Sequence, residues 1–223
     1  MMALDARSAY RLWAPSYSTE NAVSAVEERL VRAMTPSMRE ARLLDAGCGT
    51  GRRLLAAGAK SATGVDLSEE MLAFARHTCP PAMRFVASDV RAMPLADASS
   101  DVTWCRLVIG HLPECAPVYR ELARVTVPGG RVIVTDFHPE AYAAGHRRTF
   151  RAGGVVHEVE HYLHRLEDHI AAATDAGLHP EEVVHGSIST DEWRFYEAAG
   201  RAALFDEHLG LKLVLALGFR RRD

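Results

Sequence analysis

The sequence predicts an α/β fold, a doubly wound parallel sheet with helices on both faces that forms a three-layer αβα sandwich. Three observations carry this. Apolar periodicity along the chain switches repeatedly between the strand and helix periods. The short apolar run that begins Leu43-Leu44 breaks into a glycine-rich bend, Asp45-Ala-Gly47-Cys48-Gly49-Thr50-Gly51. Asp66 then closes the next apolar segment, Ala62-Thr63-Gly64-Val65, about 20 residues on, the spacing at which an acidic residue in a βαβ unit reaches ribose hydroxyls.

Each element has a local cause. Thr19 can cap a first helix whose Val23, Val26 and Leu30 share a face, with Pro36 beyond its end. The strand that opens at Leu43 turns at the glycines into a second helix over 51–57, stopped by Gly58. A third helix runs over 68–79, with Glu69 and Glu70 in its positive first turn and Pro80-Pro81 at its end. Further strands are expected over 84–87, 102–108 and 131–137, with a helix over 113–125 between the last two. A helix over 166–176 ends at Gly177, and strands over 182–188 and 211–219 complete a set of seven. No internal repeat or low-complexity segment interrupts this order.

The glycine loop points to a nucleoside cofactor, because three residues without Cβ expose main chain and the following helix turns N–H groups toward a ligand. Its spacing, Gly47-x-Gly49-x-Gly51, departs from the G-x-G-x-x-G that seats a pyrophosphate. A chain of 223 residues suits one domain, and a formal charge of -3 with pI near 6.4 gives no sequence-wide reason to approach nucleic acid. The N-terminus lacks the apolar stretch of a signal peptide, and the longest apolar run, 213–219, is too short to span a bilayer, so a cytoplasmic protein is expected. Cys48, Cys79, Cys105 and Cys115 contain no C-x-x-C pair and read as small buried hydrophobes.

The loop resembles the signature of the Rossmann-like S-adenosylmethionine (SAM) dependent methyltransferases, hydrophobic-hydrophobic-acid-hydrophobic-Gly-x-Gly-x-Gly. The resemblance continues through Val65-Asp66-Leu67-Ser68, Ser88-Asp89-Val90 with Met93-Pro94-Leu95, Asp101-Val102 and Pro128-Gly129-Gly130-Arg131, covering roughly residues 40–140 in the family's order. It implies that the last strand is inserted antiparallel beside the fifth, so the seven-stranded sheet is mostly parallel. It divides the single domain, 1–223, into an N-terminal helical lid (1–40), a cofactor-binding core (41–137) and acceptor-recognition insertions (138–165 and 190–209).

The resemblance also implies a cofactor-binding set of Tyr17, Asp45, Gly47, Cys48, Gly49, Gly51, Asp66, Leu67, Met71, Asp89, Val90 and Arg106, with S-adenosylhomocysteine as product. Asp45 would place the methionine amino group through water, the glycines would line methionine and ribose with main chain, and Asp66 would accept from both ribose hydroxyls. Leu67 and Met71 would pack on one side of the adenine, Asp89 would take its exocyclic amine, Val90 would meet its edge and other face, and Arg106 would pass its backbone near the methionine tail. Tyr10-Arg-Leu-Trp13-Ala14-Pro-Ser-Tyr17 resembles the family's Tyr-Asp-x-x-Ala-x-x-Tyr-Asp lead-in, with Arg11 and Ser18 in place of both acids. Aromatics there would fold over the cofactor.

An O–H or enolic acceptor profits from a base, for which His111 and His138, just past the fourth and fifth strands, are the candidates. The histidines 138, 146, 157, 161, 164 and 169 match no ligand spacing, and 157–164 reads as an extended arm, so no metal is expected. Arg147 and Arg148 could meet an anionic acceptor or form a solvated patch, and Trp193, Phe195 and Tyr196 could line a pocket, close a dimer or anchor a helix. The chain lacks the Asn/Asp-Pro-Pro-Tyr/Phe of amino-directed nucleobase methyltransferases and a Cys-Pro after the fourth strand. The expectation is methyl transfer to an O or C atom of a small organic molecule, without nucleic acid or membrane partner, by a monomer or homodimer. N-methylation, a non-catalytic SAM-binding protein and, against the glycine spacing, a dehydrogenase are the alternatives.

Overall fold

A computed structural model describes residues 3–17 and 20–223. Two helices open the chain, α1 (Ala6–Trp13) and α2 (Ala22–Met34). The cap expected at Thr19 lies outside the described residues. Asn21 caps α2 instead, in a reciprocal pair with Ser24. The core then alternates as β1 (Arg42–Ala46), α3 (Arg52–Ala56), β2 (Ser61–Asp66), α4 (Glu69–Thr78), β3 (Arg84–Ala87), β4 (Ser100–Arg106), α5 (Ala116–Val125) and β5 (Thr126–Phe137). After it come α6 (Pro139–Ala143), β6 (Thr149–Ala152), β7 (Val155–Glu158), α7 (Leu166–Asp175), β8 (Leu178–Ser187), α8 (Trp193–Ala198), α9 (Phe205–His208) and β9 (Lys212–Arg221).

Seven strands form one sheet in the order β3-β2-β1-β4-β5-β9-β8. The first five are mutually parallel, and β9 is antiparallel to both β5 and β8, as expected of the last strand. Alternation along the strands explains the two covering layers. Leu44, Ala46, Val132 and Val134 pack on the face that holds α5 and α7, while Leu43, Val102 and Ile133 pack against α2, α3 and α4. Strand β9 is buried along its length for the same reason.

Of the expected arm over 157–164, His157 and Glu158 belong to β7, which forms a hairpin with β6 turning at Gly153-Gly154, and Val159 forms a β-bridge with Leu4. Both glycines have positive φ, as a tight hairpin turn requires. The main chain of Leu4 pairs with Glu158 and Glu160, and Trp13 stacks on Phe150 at 4.9 Å, so the N-terminal segment and the first insertion pack as one layer. No helix among the described residues is long and apolar enough to cross a membrane.

Candidate cofactor cleft

The parallel strands end at one rim of the sheet, and the site is built there from main chain outward. After β1, the N–H groups of Gly47 and Cys48 both donate to the carbonyl of Val65, at 2.7 and 2.9 Å. This ties the loop to the end of β2. Gly47 has φ +89, and a Cβ there would lie 2.2 Å from a Val108 methyl, so only glycine lets the loop pass. Gly49, at φ +55, faces the ring of Tyr17 across the space a side chain would occupy.

Asp66 is held by the same loop. One carboxylate oxygen accepts from the Gly49 N–H at 2.8 Å and the other from the Ser68 N–H at 2.9 Å. Burial raises its pKa, and the two backbone donors oppose that rise. Ser68 also caps α4 by accepting from Met71 N–H, which sets Met71 against the same space.

Together these residues wall a cleft of about 770 Å³, counting its open mouth. Of the expected set, Tyr17, Gly47, Gly49, Asp66, Leu67, Met71, Asp89, Val90, Arg106 and His111 line it. Asp89 is engaged by its neighbour: Arg91 donates to it from the main chain at 2.8 Å and from the guanidinium at 2.6 Å, holding its carboxyl below the usual range.

Four expected residues stand elsewhere. Cys48 turns its thiol into the core beside Gly64, and Gly51 caps α3 with its Cα toward Phe85 and Ala75. Asp45 lies buried behind the wall, its Oδ1 without a hydrogen-bond partner, and burial pushes its pKa up to about 6 against the pull of Arg106 and Arg53. The base assignment for His138 is not met, because both ring nitrogens are occupied away from the cleft. Its Nδ1 accepts from Glu140 N–H at the start of α6, so its Nε2 carries the hydrogen and donates to His185 at 2.9 Å.

His111 does reach the cleft. Its Nδ1 faces the Glu160 carbonyl at 3.3 Å and must donate, so Nε2 accepts from the Tyr10 hydroxyl at 2.9 Å. Burial, followed by the charge of Arg148, depresses its pKa to about 3, and the ring is neutral.

Sequence reasoning missed Glu27 of α2, which fixes the end of β4: the buried Arg106 forks onto it with two hydrogen bonds of 2.8 Å and also meets Glu28 at 2.6 Å, and Glu27 further meets Arg53 at 3.0 Å and the Thr135 hydroxyl at 3.0 Å. A carboxylate four residues from Val23 and three from Leu30, on an otherwise apolar helix face, was the available signal. Among the described residues, no group of three or more His, Cys, Asp or Glu is placed to hold a metal ion.

Strand order, bare glycine loop and acidic β2 terminus define the class: the chain has the Rossmann-like fold of class I SAM-dependent methyltransferases. Residues 44–134 match the methyltransferase domain family. The chain is 34% identical over 179 residues to 27-O-demethylrifamycin SV methyltransferase of Amycolatopsis mediterranei (strain S699), covering 74% of this chain and 64% of that protein. It is 42% identical over 108 residues to the malonyl-[acyl-carrier protein] O-methyltransferase of Erwinia pyrifoliae, covering 48% and 40%. The chain thus spans less than two thirds of the length of these relatives. Among solved structures, a SAM-dependent methyltransferase from Mesorhizobium loti superposes with TM-score 0.71 at 24% identity, covering 88% of this chain and 98% of that one. Geranyl diphosphate C-methyltransferase from Streptomyces coelicolor A3(2) superposes with TM-score 0.66 at 17% identity, over 89% and 79%. These two likenesses establish the fold.

Proposed function

We propose that the protein is a SAM-dependent methyltransferase that methylates an O or C atom of a small organic molecule. The observation that carries this reading is the Asp66 carboxylate, already oriented by the Gly49 and Ser68 N–H groups beside main chain stripped of Cβ. The residues present suit the cofactor: a buried acidic oxygen on Asp45 lacks a partner, and Met71, Val90 and Leu67 supply an apolar slot ending at Asp89. S-adenosylmethionine, when bound, supplies a methyl on a positively charged sulfur.

In this reading Asp66 accepts from the ribose hydroxyls and the Asp89–Arg91 pair closes the adenine end. Tyr10, Trp13 and Tyr17 form the lid that excludes water. Tyr10 stacks on Trp13 at 5.7 Å, and Tyr17 meets both edge-on. Alignment and exclusion of water are worth on the order of 7–11 kcal/mol in favourable intramolecular reactions, so the residues need add little beyond taking up the acceptor's proton. His111 is unprotonated and faces the cleft, but burial makes it a weak base and its Nε2 is engaged by Tyr10, so it takes up a proton only once the phenol yields. A net charge of -3 and four buried free cysteines accord with a small-molecule enzyme of the cytoplasm.

The reading is tested by release of S-adenosylhomocysteine from a panel of phenolic and enolic acceptors. Turnover by the wild type is expected, with His111→Ala reduced about 10²-fold on an O–H acceptor. Unchanged turnover of that variant assigns the rate to positioning alone, and no release with any acceptor contradicts the proposal.

A further inference from the structure

A second cavity of about 1020 Å³ opens beside the cofactor cleft, and Tyr17, Leu107 and Arg148 belong to both walls. Trp13, Phe137, Tyr196 and Leu213 make one side apolar and largely aromatic. The polar side is cationic, with Arg52, Arg53, Arg147 and Arg148, and no carboxylate is among the described lining residues.

The four cations are not equivalent. Arg53 is neutralised by Glu27 at 3.0 Å and Glu28 at 3.6 Å, and Arg52 faces Glu20 at 3.9 Å. Arg147 and Arg148 make no ion pair among the described residues. Main-chain carbonyls hold them instead: Arg147 donates to Tyr142 and His146 oxygens, both at 2.8 Å, with its guanidinium 3.9 Å over the Tyr142 ring. Arg148 donates to the Leu107 oxygen at 2.8 Å. These contacts orient the planar groups without cancelling their charge. Leu107 has φ +56, a left-handed conformation that a branched side chain adopts only when held, here by donation to both the hydroxyl and the carbonyl of Thr135. The strained residue is the one that aims Arg148 at the junction of the two spaces. His146, in the same wall, leaves its Nε2 buried without a partner.

Resting on the function proposed above, we infer that this second cavity is the acceptor site and that it selects an acceptor bearing an oxyanion, carboxylate or phosphate, on an apolar body. Two guanidiniums of one cavity wall, each oriented and unneutralised, offer an oxyanion charge-assisted hydrogen bonds. The aromatic wall receives the rest of the molecule.

The test is calorimetric titration of the protein saturated with S-adenosylhomocysteine, using two matched pairs: 2-naphthoate with its methyl ester, and 2-naphthyl phosphate with 2-naphthol. Whichever anion is favoured tells carboxylate from phosphate. The anionic member is expected to bind at least about tenfold more tightly, an advantage that shrinks with added salt. Arg147→Gln, which lies outside the cofactor cleft, removes the preference and leaves S-adenosylhomocysteine affinity intact, whereas Arg147→Lys keeps part of the preference. Equal binding within each pair, binding of neither member, or a preference surviving Arg147→Gln overturns the inference. Repeating the titration without S-adenosylhomocysteine separates the two readings. Anion preference in a protein that ignores the cofactor product refutes the cofactor reading alone; product binding without anion preference refutes the acceptor inference alone.

Discussion

Asp45 stands two residues before the first glycine of the loop with its buried Oδ1 unpartnered, and that has a measurable cost. Burial raises its pKa to about 6 from an ordinary 3.8, so the folded state holds the proton more tightly than the unfolded chain. Stability from the protonated form is present at low pH and declines as pH rises through about 6. Asp45→Asn removes the buried charge and is expected to raise unfolding stability at pH 7 by roughly 1–3 kcal/mol. Near pH 4 the variant and the wild type should unfold together. The same change weakens binding of a cationic cofactor, because an ionised Asp45 is then absent. Denaturant unfolding at both pH values checks this; an equal difference at both would show that the carboxyl carries no penalty. The loop and Asp66 were legible because glycines without Cβ and an acid at a strand end are local properties. The exit of His138 from the site was not, since a cap on Glu140 N–H and a neighbour from β8 decide it.

At the scale of elements, the buried pair between α2 and β4 holds the helix to the sheet behind the cleft. Desolvation alone would raise the Glu27 pKa, but Arg106 and Arg53 outweigh it and hold it below the usual carboxylate range. Its contribution is therefore present above the unfolded value and is lost only as pH falls through the depressed one. Glu27→Gln removes the buried carboxylate that Arg106 forks onto and leaves it only the partly exposed Glu28, at 2.6 Å, so it should destabilise the protein by up to about 3–5 kcal/mol. The double substitution Glu27→Leu with Arg106→Met should be milder than that single change, because both charges leave together. Chemical denaturation distinguishes these outcomes, and a single variant as stable as wild type would show the pair to be dispensable. The core elements were legible from periodicity within the alternating order, which placed even the four-residue β3, while β6 and β7 lie outside that order and are too short to show a pattern alone, although Gly153-Gly154 marked their turn.

Over the whole molecule, five parallel strands bring the ends of β1, β2 and β4 to one rim, and α1 packs on the β6–β7 hairpin beside it. Sequence order made the sheet readable. The junction between the two cavities was not readable, because Tyr17, Leu107 and Arg148 come from three segments that meet only in the folded chain. The proposed methyl transfer requires that the cleft bind S-adenosyl compounds through Asp66. Calorimetric titration of S-adenosylhomocysteine into wild type and Asp66→Asn, with folding of both verified by circular dichroism, tests this directly. Saturable binding by the wild type and a loss of about tenfold or more in the variant are predicted, as for removal of hydrogen bonds to a charged group. No heat from folded wild type, or equal affinity in both proteins, would contradict the account.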